Sequence, residues 1–516
     1  MRRLLASAAL LATALLLASA SRGATAQEPV QPIAGDPAAP PDLPAFTGRR
    51  AKARRVPAAK VPPHPQMAPN GRSNIHNDGY MSDTYTWLGP LGRDMRLVSA
   101  AFTEAAFGLC GGTIAFDRRG RIVTVCIAPD RSVRLRLLNP RTLATLASYD
   151  LPPRMIPPGA NPFQTFTGGG YFYLDRRDRA VIPTSTLRLV VIALRGPPSQ
   201  PRWVKFRDYD VSSTVPAGEG IGSVLPDSRG RLWFVSRETG VVGVVEPRSG
   251  RVRTKRLNEA IGNSFAVDPL GGVYIVSDKA MYRFDIAAGG VPRITWRVVY
   301  RNIGRIKPGQ VDAGTGTTPT LMGRKYVAIT DNADPMNVVV YRRARGIKRR
   351  LVCEEPVFRR GASATENSLI GTERSLIVEN NYGYTGPPAV IGGLSTEPGI
   401  ERVDVDRDGR GCHTVWKSKE RSPSVVPKLS LGAGLAYFYT KPTGTPDRWY
   451  VTAVSFRTGR TVWKRLAGTG FNFNNNYAGL AISPRGVIYL GVLGGTIRVS
   501  DSDVALGGMD KAPAPP

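Results

Sequence analysis

The chain has 516 residues, and 42% of them are hydrophobic, which is the share of a globular protein rather than of a disordered chain. Lysine and arginine number 70 against 40 acidic residues, giving a net charge of +30. This charge fits either arginine-rich codon usage or an anionic partner such as a phospholipid or an acidic polysaccharide. Nucleic acid is disfavoured as a partner because the sequence contains no nucleic-acid-binding motif.

Residues 1–26 predict a secretory signal peptide. Arg2 and Arg3 precede an apolar run over residues 4–20, and Ala24-Thr25-Ala26 forms a small-x-small cleavage site. No later stretch is apolar enough to cross a bilayer. We therefore expect a secreted or periplasmic protein that begins at Gln27 and is not integral to the membrane.

The mature chain divides into three predicted parts. Residues 27–72 are rich in proline, alanine and basic residues, which is typical of a disordered arm. Residues 73–504 contain no linker and predict one domain, and residues 505–516 predict a disordered tail.

An internal repeat of roughly 40–60 residues runs through this domain, at or above the length of a propeller blade. Each copy contains four short apolar strands separated by turns with glycine or aspartate, which indicates all-β structure. The first strand of each copy begins near Gly112, Gly169, Ile221, Ser264, Thr318, Ser368, Leu429 and Ala478. The sequence therefore predicts a single β-propeller of about eight four-stranded blades.

The eighth copy lacks a fourth strand, whereas residues 93–101 form a spare strand ahead of the first copy. We expect this strand to pair beside residues 496–500 and close the ring, because closure protects the edges that an open array exposes.

Two segments carry a resemblance to known families. Residues 453–463, AVSFRTGRTVW, resemble the repeat of quinoprotein-like (PQQ-type) propellers, in which a Thr-Gly turn leads to a packed tryptophan. Trp296 and Trp416 occupy comparable places. Residues 231–251 more weakly resemble streptogramin-lyase and NHL-type propellers. The resemblance rests on structural residues, so it implies the fold rather than an activity.

Propeller geometry assigns the loops to two faces. We call top the face with the loops that enter each innermost strand and the loops between second and third strands, and bottom the opposite face. Arginine-rich hairpin turns fall on the bottom, whereas acids and amides gather on the top. The loop over residues 380–399 is the longest on the top, and such loops are often functional. The candidate ligand or metal residues on this face are Glu219, Asn263, Glu366, Asn367 and Asn476.

Carboxylate and amide oxygens are the ligands that calcium prefers, so these residues form a candidate calcium site. The alternative is that they cap backbone amides of neighbouring loops. Residues 404–409 imitate a calcium loop, but Val415 and Cys412 stand where acidic ligands are required, so an ordinary turn is expected.

Four cysteines in an exported chain without a C-x-x-C spacing favour two disulfides over a metal site. Cys110 and Cys126 flank one hairpin, and counting from its turn places them on facing strands one register step apart. Cys353 and Cys412 lie on late strands of neighbouring blades. We expect the bonds Cys110–Cys126 and Cys353–Cys412.

On sequence grounds we expect an exported binding or scaffold propeller. A ligand or protein would occupy the top face, and an anionic surface or polysaccharide would contact the bottom face. Two enzymatic alternatives stay open, namely a calcium-dependent hydrolase of the gluconolactonase type and a PQQ-like oxidoreductase. The absence of an adjacent cysteine pair disfavours the second, and the absence of a top-face histidine disfavours a streptogramin lyase.

Overall fold

The computed structural model describes residues 30–101, 108–156, 159–165 and 167–504. The predicted signal peptide and the predicted C-terminal tail lie outside these residues. Helical structure within the described ranges consists of four short 3-10 turns, at Ser212–Thr214, Ala288–Gly290, Pro387–Val390 and Phe471–Phe473. The fold is therefore all-β, as predicted.

Three strands precede the blades, namely β1 (Phe46–Gly48), β2 (Thr84–Tyr85) and β3 (Arg96–Ala101). The first four blades then follow in chain order. Their strands are β4 (Leu109–Phe116), β5 (Ile122–Ile127), β6 (Val133–Leu138), β7 (Thr145–Leu151); β8 (Tyr173–Leu174), β9 (Ala180–Pro183), β10 (Arg188–Arg195), β11 (Arg202–Asp210); β12 (Ile221–Pro226), β13 (Leu232–Ser236), β14 (Val241–Val245), β15 (Val252–Arg256); β16 (Ala266–Val267), β17 (Val273–Val276), β18 (Ala280–Ile286) and β19 (Pro292–Val299).

The last four blades continue the same order. Their strands are β20 (Thr320–Met322), β21 (Tyr326–Thr330), β22 (Asn337–Arg342), β23 (Leu351–Pro356); β24 (Ile370–Gly371), β25 (Ser375–Glu379), β26 (Ile400–Val405), β27 (Cys412–Ser418); β28 (Lys428–Ser430), β29 (Leu435–Thr440), β30 (Arg448–Ser455), β31 (Thr461–Thr469); β32 (Leu480–Ile482), β33 (Ile488–Val492) and β34 (Gly495–Ser500).

Each blade is an antiparallel sheet whose strands are adjacent in chain order. In blade 3, every residue of the first strand β12 is buried, whereas four of the five residues of the last strand β15 are exposed. The first strand therefore lines the central channel and the last strand faces solvent.

The ring closes as predicted. β3 pairs antiparallel with β34, with Arg96 opposite Ser500 and Ala101 opposite Gly495. β3 thus supplies the missing fourth strand of blade 8, which consists of β32, β33, β34 and β3. Closure leaves no unpaired edge between the first and last blades.

The predicted disordered arm over residues 27–72 is wrong for its described part. Residues 46–48 form β1, which pairs with the outermost strand β31 of blade 7, and Ala51 and Val56 are buried against the same blade. Composition did not predict this ordered structure, because backbone hydrogen bonds to an existing sheet can hold a segment that has few apolar side chains.

A segment over residues 66–87, which we call the central segment, crosses the channel at its bottom end. It contacts all eight blades, mostly through backbone hydrogen bonds with the last residues of the innermost strands. The blade residues that form these bonds are Phe116, Leu174, Ser228, Val267, Leu321, Gly371, Leu429 and Ile482. The channel is therefore closed from below by residues that the sequence analysis divided between the arm (27–72) and the start of the propeller domain (73–504).

Aspartates hold the first turn of blades 1 to 3 in the same way. In blade 3, Asp227 Oδ1 accepts from the N–H groups of Arg229 and Arg231, and its Oδ2 accepts from Arg231 Nε at 2.7 Å. Blade 4 has Gly272 at the position of this arginine, and Arg343 of blade 5 lies 3.0 Å from Asp268 instead. Part of the arginine content thus stabilises the turns.

Both predicted disulfides are present, and they account for all four cysteines. Cys110 and Cys126 are directly opposite each other rather than one register step apart, because an irregularity in β4 between Cys110 and Ile114 shifts the pairing. Cys353 in β23 and Cys412 in β27 join the outer strands of blades 5 and 6, with Cα atoms 5.8 Å apart.

Candidate functional site

A cavity of about 410 Å³ lies on the top side of the ring, above blades 1 and 2. Its size is within the roughly 300–1,000 Å³ typical of small-ligand sites. It reaches the surface at Pro129 and Arg131, which are exposed, and Ile75 of the central segment contributes to its lining. The walls are mostly apolar, with Leu109, Val125, Ile127, Ile156, Phe163 and Leu493.

Three of the five predicted site residues line this cavity, namely Glu366, Asn367 and Asn476. They enter from blades 6 and 8, on loops that lead into the innermost strands β24 and β32. The prediction placed them at the axis on the top face, and the structure brings these three to one cavity. Glu219 and Asn263 are not among the lining residues.

Glu366 is a buried carboxyl group at the inner end of the cavity. Its Oε2 accepts from the backbone N–H of Val311 at 3.0 Å, and its own N–H donates to Asn381 Oδ1. Burial raises the pKa of Glu366 well above its ordinary value, and the nearby Asp312 carboxylate adds to this rise. Burial thus favours the protonated form of the Glu366 carboxyl group, which can donate a hydrogen bond.

Asn367 and Asn476 are held by other polar side chains. Asn367 Nδ2 donates to Glu379 Oε1 at 2.7 Å. Asn476 Nδ2 donates to the carbonyl of Phe163 at 3.2 Å, while its Oδ1 accepts from Tyr384 Oη at 3.1 Å. Tyr384 lies in the 380–399 loop between β25 and β26, so this long loop fixes one wall of the cavity.

Of the other two predicted residues, Glu219 contacts its own blade, whereas Asn263 of blade 4 contacts Tyr171 of blade 2, which lines the cavity. Glu219 Oε2 accepts from Ser236 Oγ at 2.7 Å and from the N–H of Thr239, which is the capping role left open by the sequence. Asn263 Oδ1 accepts from Tyr171 Oη at 3.4 Å. The five residues therefore do not converge on one point.

Beneath the cavity, the central segment carries a buried charge network that sequence reasoning missed. Lys428 Nζ lies 2.6 Å from Asp83 Oδ1, and neither side chain is exposed to solvent. His76 Nδ1 lies 3.0 Å from Asp83 Oδ2, and its ring stacks on Tyr171 of the cavity wall. A lysine within the innermost strand β28 was the available sequence signal, because a buried lysine requires a partner.

The cavity lining includes titratable side chains whose pKa values are shifted by burial. Its titratable lining residues, among those described, are Arg131, Arg154, Tyr171, Glu366 and Tyr477. Burial raises the pKa of both tyrosines above its usual range, so neither acts as a base near neutral pH. His76 is the nearest imidazole, and it is 2% exposed and directed to Asp83.

Calcium stays a prediction at this site. Within the residues that the structure describes, no three histidine, cysteine, aspartate or glutamate side chains form a group that could hold a metal ion. A cation at Glu366 would also have to displace the proton that burial favours. Residues 404–409 form the expected turn, in which Gly409 N–H donates to the carbonyl of Asp406.

Comparisons with known proteins support the architecture. No family model matches the chain. An uncharacterized protein of Archaeoglobus fulgidus is 30% identical over 325 residues, which are 56% of this chain. The chain spans 62% of the length of that relative.

Three solved structures are similar to this chain at low sequence identity. A europium-containing methanol dehydrogenase has a TM-score of 0.50 at 11% identity, covering 84% of this chain and 97% of its own. Sqt1 of Chaetomium thermophilum, bound to the N-terminus of the ribosomal protein L10, has a TM-score of 0.48 at 12% identity. The match covers 78% of this chain and 98% of the Sqt1 chain. Virginiamycin B lyase of Staphylococcus aureus has a TM-score of 0.39 at 13% identity, and the match covers 66% of this chain and 96% of the lyase chain. The first of these supports the propeller fold.

The contribution of Glu379 to the free energy of unfolding is expected to fall as the pH rises from about 4.5 to about 8. Burial raises the pKa of Glu379 from 4.5 to about 8. Between these values the folded state holds a proton that the unfolded state has released, so stability is lost as the pH rises, by roughly 1.4 kcal/mol per pH unit at most. Asp78, whose pKa burial raises to about 7, acts with the same sign.

Glu379→Gln isolates the contribution of this residue. A glutamine oxygen can accept from Asn367 and Asn381 as Glu379 Oε1 does, and its amide can donate to Ser422 Oγ. Urea unfolding at several pH values should therefore give a shallower pH dependence for the variant than for the wild type. Parallel curves for the two proteins would show that Glu379 is already ionised in the folded state.

Proposed function

We propose that this protein is an exported binding propeller that holds a small ligand in the top-face cavity. The observation that supports it best is the cavity itself, whose apolar walls end at Glu366, Asn367 and Asn476 near the axis. Small-ligand sites combine these features, namely a mostly apolar lining and a few polar groups that fix orientation. The predicted signal peptide and the two disulfides support export.

Filling the cavity tests this proposal. Gly112 lines it, and a Cβ atom added there would meet only Leu109, at 3.7 Å. We expect the neutral fluorophore N-phenyl-1-naphthylamine to bind the wild type, and Gly112→Leu to weaken this binding by about 10-fold or more because the leucine occupies the same space. Gly112→Ala is the matched control and should bind nearly as the wild type does.

Fluorescence titration of the three purified proteins provides the measurement, and unchanged thermal unfolding shows that each variant is folded. Equal affinity in all three proteins, or no binding to the wild type, would contradict a ligand cavity at this place.

The bottom face supports a second, surface-binding part of the same proposal. Several exposed arginines on its turns have no ion-pair partner among the described residues, namely Arg119, Arg176, Arg177, Arg229, Arg248, Arg407 and Arg457. Such a face suits an acidic polysaccharide or another anionic surface. The affinity for immobilised acidic polysaccharide should then fall steeply as the salt concentration rises. An affinity that does not change with salt concentration would contradict binding through this face.

A further inference from the structure

The two ends of the cavity differ in charge. Its inner end, near the axis, carries the amide groups of Asn367 and Asn476 and the carboxyl group of Glu366, whose protonated form is favoured by burial. Its outer end carries Arg131, in the loop between β5 and β6, and Arg154, which follows the outermost strand β7. The cavity therefore extends outward across blade 1, from hydrogen-bonding groups to positive charge.

Arg154 lacks the partner that a half-buried guanidinium requires. Its Nε atom is buried without a hydrogen-bond partner, and no carboxylate lies within ion-pair distance of it in the described part of the chain. Its backbone N–H donates to the carbonyl of Arg131 at 2.8 Å, which holds the two arginines together. Burial lowers the pKa of Arg154 to about 10, so it still carries its charge at neutral pH.

A desolvated cation without an anion is unfavourable, and a bound anion at this end would offset that cost. Among the buried arginines, Arg121 pairs with Asp117 and Arg343 with Asp268, and Arg350 donates to three backbone carbonyls. Arg154 instead lies at the wall of a mostly apolar cavity, where its Nε atom has no acceptor among the described residues. The missing partner is therefore expected to be part of the ligand.

We propose that the cavity binds a small organic anion with an apolar body, whose anionic group contacts Arg154 while its far end reaches Glu366 and Asn367. This inference rests on the proposed function, since it names the chemical class of that ligand. The apolar walls exclude a sugar or a highly charged ligand. Such a ligand would lose its hydrogen bonds with water on binding, and the walls offer too few polar groups to replace them.

A matched pair of probes separates the charge from the apolar body. 8-Anilinonaphthalene-1-sulfonate is N-phenyl-1-naphthylamine with an added sulfonate group. We expect Arg154→Gln to weaken binding of the anionic probe by about 10-fold or more, the effect of losing one charged hydrogen bond, and to leave binding of the neutral probe unchanged. Arg177→Gln, an equal charge change on the bottom face, is the control and should alter neither affinity.

Each outcome has a distinct meaning. Binding of the neutral probe to Arg154→Gln shows that the cavity is intact, and Arg154→Lys should retain part of the preference for the anion. Equal loss in the Arg154 and Arg177 variants, or no loss in either, would overturn the anion site and leave the cavity proposal standing. If neither probe binds the wild type, or if both still bind Gly112→Leu equally well, the proposed function fails as well.

Discussion

Replacing Lys428 by methionine is expected to lower the free energy of unfolding by about 3–5 kcal/mol, the usual cost of breaking a buried ion pair from one side. The Nζ atom lies 2.6 Å from Asp83 Oδ1, and both side chains are wholly buried. Without the lysine, the Asp83 carboxylate keeps only the His76 contact in a place without solvent. Chemical denaturation monitored by tryptophan fluorescence measures the difference.

Lys205→Met provides the matched control. Lys205 also pairs with an aspartate, at 3.4 Å, but its side chain is 54% exposed, so its loss should change stability by less than about 1 kcal/mol. The double variant Asp83→Asn/Lys428→Met should recover part of the loss, because no buried charge is left unpaired. A small effect of Lys428→Met, equal to that of Lys205→Met, would show that the central segment is not fixed to blade 7 by this pair.

Removing the disulfide between blades is expected to cost more than removing the one within a hairpin. Cys353 and Cys412 are 59 residues apart, whereas Cys110 and Cys126 are 16 apart. Loop-closure entropy in the unfolded chain predicts losses of about 4 and about 3 kcal/mol, respectively, for the double serine variants. Thr414 of blade 6 also donates two hydrogen bonds to Glu355 of blade 5, which keeps these blades in contact after the disulfide is removed.

Denaturant unfolding of the two double serine variants, each without free thiols, gives the comparison. A larger loss for the hairpin variant would mean that the packing around Cys110 and Cys126, rather than chain entropy, sets the effect. The wild type under reducing conditions should lose at least as much stability as the more affected variant.

The blades could be predicted from the sequence because their signals are local. Each blade repeats short strands with a turn such as the one at Asp227, where the aspartate binds residues two and four positions later. The closing strand was also predictable, since the eighth repeat visibly lacked one strand. The disulfides followed from the same count, apart from the register of Cys110, which an irregularity in β4 alters.

The central segment and the apolar part of the cavity could not be predicted, because their contacts join distant parts of the chain. Asp83 and Lys428 are adjacent only once the ring has formed, and nothing near either residue identifies its partner. The inner residues of the cavity were found from their loop positions. Arg154 was missed because it follows an outermost strand, where an arginine ordinarily faces solvent.

The central segment and β3 are synthesised before the blades that they contact. Both emerge from the ribosome before any blade, yet β3 pairs with residues 495–500, near the carboxyl end. Until blade 8 has been made, β3 is an unpaired strand that can join a foreign sheet edge. The ring therefore closes only after translation of all eight blades, and a chain shortened before residue 495 has no partner for β3.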